Sequence, residues 1–290
     1  MKPAFHLLAP LIAACAGAPA AADGPGAPSV DEPGGLPEGY ALVWSDDFDI
    51  DGLPDPSKWG YDTARNFPGW YNDEKQYYAE ARPENARVER GKLIIEAHKE
   101  DLDRQQYPDW GGQHYTSARL VTRGKAEWRY GFIEVRAKLP CGVGTWPAIW
   151  TLSAPPRVRW PDDGEIDMME HVGFDRGVIN GSVHTKAYYH SIHTHKTAKT
   201  HVADVCEDFH RYQLTWTPER ITIGVDDRNF FQFTNDRTGN GQNWPFDHPQ
   251  YLLLNIAIGG AWGGMQGIDD TVFPVRMEVD YVRVYQKPGA

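Results

Sequence analysis

From Tyr40 onward the chain is written in short stretches of alternating apolar and polar residues, cut at close intervals by Gly, Pro, Asp and Asn. Side chains alternate between the two faces of a strand, so each such stretch buries one face and wets the other. No window of about 12 residues or more keeps a capped 3.6-residue apolar period, so helices are expected to be few and short. The spacing predicts strands over Lys92 to Glu100, Gly131 to Leu139, Tyr212 to Trp216, Ile221 to Val225, Tyr251 to Ile258 and Arg276 to Tyr285. Thr217-Pro218-Glu219-Arg220 reads as a hairpin turn between two of them. The expected fold is all-β, a sandwich of two stacked antiparallel sheets whose curved face suits a linear polymer. Its 29 Gly and 22 Pro fit many short strands joined by tight turns.

The 290 residues divide into three parts. Residues 1–22 read as an export leader, with Lys2 ahead of the apolar stretch Phe5 to Ala14. Residues 23–39 form a Pro, Gly and Ala-rich linker, and residues 40–290 are the expected folded domain. Two exits from secretion stay open. Leu11-Ile12-Ala13-Ala14-Cys15 resembles a lipobox, which would make Cys15 the lipidated first residue; cleavage after Ala20-Ala21-Ala22 would release a soluble protein. Localisation is therefore expected to be secreted or lipid-anchored at a bacterial cell envelope, with no membrane contact other than that anchor. Cys141 and Cys206 remain, an even number for an oxidising compartment, and either a disulfide or two buried thiols is consistent with them.

Net charge is -11 at pH 7 and no run of basic residues occurs, which excludes a phosphate-backbone partner. Eleven Trp and fourteen Tyr offer flat rings for stacking on sugars as well as for a core.

Chemistry concentrates in Gly164-Glu165-Ile166-Asp167-Met168-Met169-Glu170, three carboxylates bounded by apolar neighbours rather than by lysines. On a regular strand Glu165 and Asp167 share a face and Glu170 points to the other. One extra residue at Met168-Met169, a β-bulge, would return Glu170 to the same face. The glutamates would then stand about four strand steps, roughly 13 Å of backbone, apart, and only long side chains close that gap. Asp167 would keep Glu165 ionised and oriented as nucleophile, while repulsion from both would raise Glu170 and keep it protonated as the general acid. A calcium cluster and an acidic strand of a lectin are the rival readings of the segment.

In its context this segment resembles glycoside hydrolase family 16, in particular the bacterial laminarinases with a bulged E-x-D-x-x-E. Further matching pieces are Trp44-Ser45-Asp46-Asp47-Phe48, Gly69-Trp70-Tyr71-Asn72-Asp73-Glu74, Tyr115-Thr116-Ser117-Ala118-Arg119-Leu120, Leu139 to Trp150 and Val279 to Tyr285. The resemblance implies a β-jelly-roll with a cleft on its concave face and a retaining mechanism, which needs carboxyls ~5–5.5 Å apart against ~6.5–9.5 Å for inversion. It implies Glu165 as nucleophile, Asp167 as assisting carboxylate and Glu170 as acid/base. Trp146 and Trp150 look like cleft aromatics, with core packing as the rival reading, stronger for Trp150. Asn72, Glu74 and Arg119 resemble cleft residues that bind sugar hydroxyls, with Arg119 also able to orient a catalytic carboxylate. His184 matches a histidine near the acid/base, and Trp160 and Trp262 are candidate cleft walls.

No cofactor is expected for catalysis. Some relatives hold a structural calcium, and Asp47, Gly91 and Asp280 are the matching positions, with Asp280 expected buried in an apolar strand. His184, His190, His193, His195 and His201 are read as a solvated loop rather than a metal site, because no acidic ligand lies near them in sequence. The implied function is a monomeric endo-β-glucanase cutting β-1,3 bonds of laminarin-like glucans. Mixed-linkage β-1,3-1,4-glucanase and a galactan hydrolase of the agarase or carrageenase kind are alternatives, although a sulfated substrate would call for more basic cleft residues than the sequence offers. A non-catalytic glucan-binding protein on the same fold usually lacks the glutamates that this chain keeps.

Overall fold

A computed structural model describes residues 34–289. The expected leader, Cys15 and the first part of the linker lie outside the described residues. The end of the linker meets the domain where the Gly34 N–H donates to the Asp227 carbonyl at 2.8 Å.

The strands run in chain order as β1 (Ala41–Asp46), β2 (Gly60–Tyr61), β3 (Gln76–Tyr78), β4 (Ala86–Val88), β5 (Leu93–Lys99) and β6 (Tyr115–Ser117). Then come β7 (Arg119–Val121), β8 (Gly131–Lys138), β9 (Thr145–Ser153), β10 (Glu165–Glu170), β11 (Val178–His184) and β12 (Lys196–His201). The last five are β13 (His210–Trp216), β14 (Arg220–Val225), β15 (Arg228–Thr234), β16 (Gln250–Ile258) and β17 (Val275–Gln286). All six strands expected from alternation form, within a residue or two of the predicted ends. The Thr217 N–H donates to the Arg220 carbonyl at 2.9 Å and closes the hairpin between β13 and β14. Among the described residues the only helices are three-residue 3-10 turns, and none is long and apolar enough to cross a membrane.

Two sheets form. A ten-stranded one runs β15-β14-β13-β8-β17-β5-β6-β3, with β1 on β17 and β4 on β5; a seven-stranded one runs β12-β11-β10-β9-β16-β7-β2. Pairing is antiparallel except between β3 and β6, which run parallel. The two stacked, essentially antiparallel sheets are those expected. The chain between β3 and β6 makes the long excursion through β4 and β5 that a parallel pair demands.

Ile149, Ile166, Met168, Met169, Leu252, Leu254 and Ile256 of the seven-stranded sheet share one core with Leu93, Ile95, Ile133, Val135, Leu214, Val282 and Val284 of the other. Each buried aliphatic side chain contributes about 1.5–3 kcal/mol relative to exposure. On β16 all nine residues are buried. Its other face carries Tyr251 and Leu253 in a second apolar cluster with Val121, Ala154, Trp150 and Leu152. A strand covered on both sides loses its alternation, which is why Tyr251 to Ile258 is almost continuously apolar.

Cys141 and Cys206 form a disulfide with Cα atoms 5.7 Å apart, inside the usual range. It ties the segment after β8 to the segment before β13. At two of the expected calcium positions the aspartates face arginines. Asp47 accepts from Arg283 at 2.6 and 3.0 Å, and Asp280 accepts from Arg136 at 2.7 Å. Asp280 is half-buried rather than buried and unpaired. One oxygen of each carboxylate is thus engaged by a guanidinium.

Candidate active site

The site is built on β10, in the middle of the seven-stranded sheet. Glu165 pairs with Leu152 and Asp167 with Trp150 on β9, after which the register slips and Met169 faces Ile149. On the β11 side, the register slips between Asp167, which faces Ser182, and Glu170, which faces Asn180. The bulge therefore lies at Met168-Met169, as expected. Ile166, Met168 and Met169 go to the core with no exposed surface, while Glu165, Asp167 and Glu170 all line a groove of about 670 Å³. Gly164, immediately before the row, has φ +90°; a Cβ there would stand 2.8 Å from the Phe246 ring and 2.9 Å from Pro245. Only glycine fits that entry to the strand.

Each glutamate receives one indole N–H. Trp160 Nε1 donates to Glu165 Oε2 at 2.7 Å, and Trp146 Nε1 donates to Glu170 Oε1 at 3.1 Å. His184, opposite Glu165 on β11, places Nε2 3.3 Å from Asp167 and 3.9 Å from Glu165. Its direct contacts are with Glu165 and Asp167, and its charge also acts on Glu170. Trp160 also stands edge-on to Tyr189, with ring centroids 5.6 Å apart.

Three carboxylates in one sheltered row cannot all keep their charge. Burial first, then the Asp167 charge, pushes Glu165 up to about 8. Burial pushes Asp167 up to about 7, against a hydrogen bond with Glu165. Glu170 is raised well above the carboxylate range by burial, then by the charges of Asp167 and Glu165. The group that most firmly holds a proton is thus Glu170, and the charge the row does carry belongs to Glu165 and Asp167 together.

The remaining predicted residues divide. Asn72, Glu74, Arg119, Trp146, Trp150 and Trp160 all line the groove. Trp150 is half-buried, donating from Nε1 to Asn255 Oδ1 at 2.7 Å, so its role is shared between groove and core. Glu74 accepts from Gln76 at 2.9 Å, and burial raises its carboxyl despite the attraction of Arg119. Arg119 does not orient a catalytic carboxylate. Its ion-pair partner is Asp62 at 3.5 Å, and its guanidinium lies over Trp150 at 4.5 Å and Trp70 at 5.1 Å. Trp262, half-buried, packs edge-on against the groove residue Trp146 with ring centroids 5.4 Å apart.

Sequence reasoning missed Asp62, Tyr78, Tyr251, Asn255 and His190, all in the groove wall. Asn255 had a signal, as the one amide in an otherwise apolar run on β16; it donates to the Tyr78 hydroxyl at 3.0 Å. The groove is also more basic than the sequence suggested, since Arg65, Arg119, Arg123 and Arg159 line it beside Asp62, Glu74, Asp163 and the catalytic row. Those arginines are largely engaged, for example Arg159 with Asp163 at 3.6 Å and Arg123 over the Tyr251 ring.

Known proteins resemble this chain in sequence and fold. The model of glycosyl hydrolases family 16 matches residues 73–283. A beta-glucanase of Rhodothermus marinus is 53% identical over 256 residues, covering 85% of each chain. The X-ray structure of the laminarinase from Rhodothermus marinus aligns with a TM-score of 0.79 at 52% identity, covering 85% of this chain and 97% of that one. The crystal structure of SCLam, a non-specific endo-beta-1,3(4)-glucanase, aligns with a TM-score of 0.85 at 56% identity, covering 88% of this chain and 94% of that one. With the family matched across the strands that build the groove, and whole-domain likeness at this level, the chain belongs to glycosyl hydrolases family 16.

Proposed function

We propose that this protein is a retaining endo-β-glucanase that hydrolyses internal β-1,3-glucosidic bonds of laminarin-like glucans. The observation that carries the reading is the bulge at Met168-Met169, which aims Glu165, Asp167 and Glu170 into one aromatic-walled groove. In the first step Glu170 gives its proton to the glycosidic oxygen as the Glu165 carboxylate attacks the anomeric carbon, and a glycosyl ester forms as the leaving sugar departs. In the second step Glu170, now a carboxylate, takes a proton from water, whose oxygen attacks the same carbon and frees Glu165. Asp167 shares a hydrogen bond with Glu165 and holds it for attack. Side chains and the attacking water supply every proton and charge in this scheme, so it calls for no cofactor.

Glu165→Gln keeps the shape of the nucleophile and loses its reactivity. Hydrolysis of laminarin should fall to background while glucan binding persists, and more than a few per cent residual turnover would falsify the assignment. Glu170→Ala should be rescued by azide on substrates with good leaving groups, giving a β-glycosyl azide; an α product would make the enzyme inverting.

A second reading, cleavage of mixed β-1,3-1,4 glucans, is favoured by the likeness to SCLam, itself non-specific. Product profiles from laminarin, curdlan, lichenan and agarose separate the readings, and release of galactose-containing products would support neither. We further propose that the enzyme acts outside the cytoplasm, as a secreted or Cys15-anchored form. Mass spectrometry of the mature N-terminus tests this: a chain that keeps Met1 would exclude both.

A further inference from the structure

The carboxylate row has a capacity that does not involve sugar. His184 Nε2 lies 3.3 Å from Asp167 Oδ2 and 3.9 Å from Glu165 Oε1, and one ligand atom from each residue falls within 4.8 Å of the others. Zinc bonds of ~2.0–2.2 Å set neighbouring tetrahedral ligands roughly 3.4 Å apart. Two of these spacings stand near that value before any side chain moves. Trp160 takes the other oxygen of Glu165, Oε2, and Asp167 Oδ2 accepts no hydrogen bond although Asp167 is only 2% exposed.

The histidines read in sequence as a solvated loop are not all in solvent. His195 stacks on His184 with centroids 5.5 Å apart and planes 13° off parallel, and His190 meets it edge-on at 5.4 Å. The acidic ligands that this loop lacks nearby in sequence arrive from β10, through the pairing of Glu165 with His184.

We propose that Glu165, Asp167 and His184 form an inhibitory site for a divalent transition-metal ion of the zinc type, which blocks the reactive end of the groove while bound. One imidazole and two carboxylates favour zinc or copper, whereas calcium asks for six to eight oxygens and magnesium for an octahedron. The fourth position faces the groove, where water or His190 would complete the set. A ligating histidine normally donates its other N–H to a partner, and His184 Nδ1 has none. Lack of that partner weakens metal binding about 10–100-fold. The ion is therefore an exchangeable inhibitor and not a resident cofactor.

Binding stands independently of the catalytic assignment, whereas inhibition rests on it, and two measurements keep them apart. Untagged, chelator-treated protein is titrated with ZnCl2 in a calorimeter, and laminarin hydrolysis is followed at the same zinc concentrations. The expected result is one zinc per chain, inhibition competitive with glucan and reversed by EDTA, and no effect of MgCl2. Asp167→Asn and His184→Ala should each weaken binding about tenfold or more. The His193→Ala/His201→Ala double variant, outside the groove, should bind zinc and hydrolyse glucan as the parent does. If His184→Ala does not fold, as its melt would show, the shape-conserving Asp167→Asn carries the test. The proposal is overturned by absence of heat in the parent, by unchanged affinity in folded Asp167→Asn, or by loss of binding in the His193/His201 variant. Zinc bound at these three residues without any slowing of hydrolysis would uphold the metal site and sink the catalytic reading instead.

Discussion

Glu165 is pushed up to about 8 by burial and by the Asp167 charge, against the pull of His184 and of the Trp160 indole. A nucleophile works only when ionised, so these neighbours decide where activity switches on as pH rises. Asp167→Asn removes a charge that raises Glu165, and the acid limb of kcat/KM should move to lower pH by roughly one unit. Trp160→Phe removes a hydrogen bond that favours the carboxylate, and the same limb should move up. Shifts of the same sign in the two pH profiles would contradict this account of the row. Stability follows from the same groups. Unfolded, Glu165 and Asp167 ionise near 4.5 and 3.8; folded, they hold protons until about 8 and about 7. The folded state then binds more protons across that window, so stability is lost as pH rises through it. Asp167→Asn deletes one contributor and should melt above the parent at pH near 8, with the gap closing near pH 4. A gap that widens toward acid would refute the sign.

The bulge on β10 is the element on which the residue chemistry depends, and it was legible because three carboxylates in an apolar segment have no regular strand that keeps them together. Six strands were legible for a related reason, since alternation reports one buried face. Three kinds of fact were not. Trp262 packs edge-on against Trp146. Arg119 finds Asp62, and Asp280 finds Arg136, a partner 144 residues away. Each is decided by which strands and loops become neighbours, and no local spacing carries that information. Gly164 belongs between the two cases, since its place before the row is visible in sequence while its contact with Phe246 is not. Gly164→Ala should strain the entry to β10 through φ +90° and a 2.8 Å approach to that ring. The expected cost is about 1–3 kcal/mol of stability, with turnover reduced more than glucan binding because Glu165 is the next residue. A variant with parental melting and rate would show that the loop yields freely.

At the scale of the whole molecule, the groove is one face of a sheet whose other face is the core, so the catalytic row is only as rigid as the sandwich beneath it. The Cys141–Cys206 disulfide pins that sandwich away from the groove, since neither cysteine lines it. The two cysteines are 65 residues apart in sequence. Cross-linking a loop of that length removes chain entropy from the unfolded state equivalent to about 4 kcal/mol. For a domain of this size each kcal/mol moves the melting temperature by about 2–4 °C, so Cys141→Ala/Cys206→Ala should melt about 8–16 °C lower. Its rate on glucan, measured well below the melt, should match the parent, because the bulge and its indole donors are untouched. Parental protein treated with reductant should melt with the double variant. If both forms keep the parental melting temperature, the cross-link adds nothing to stability and the packing of the two sheets alone holds the groove in shape.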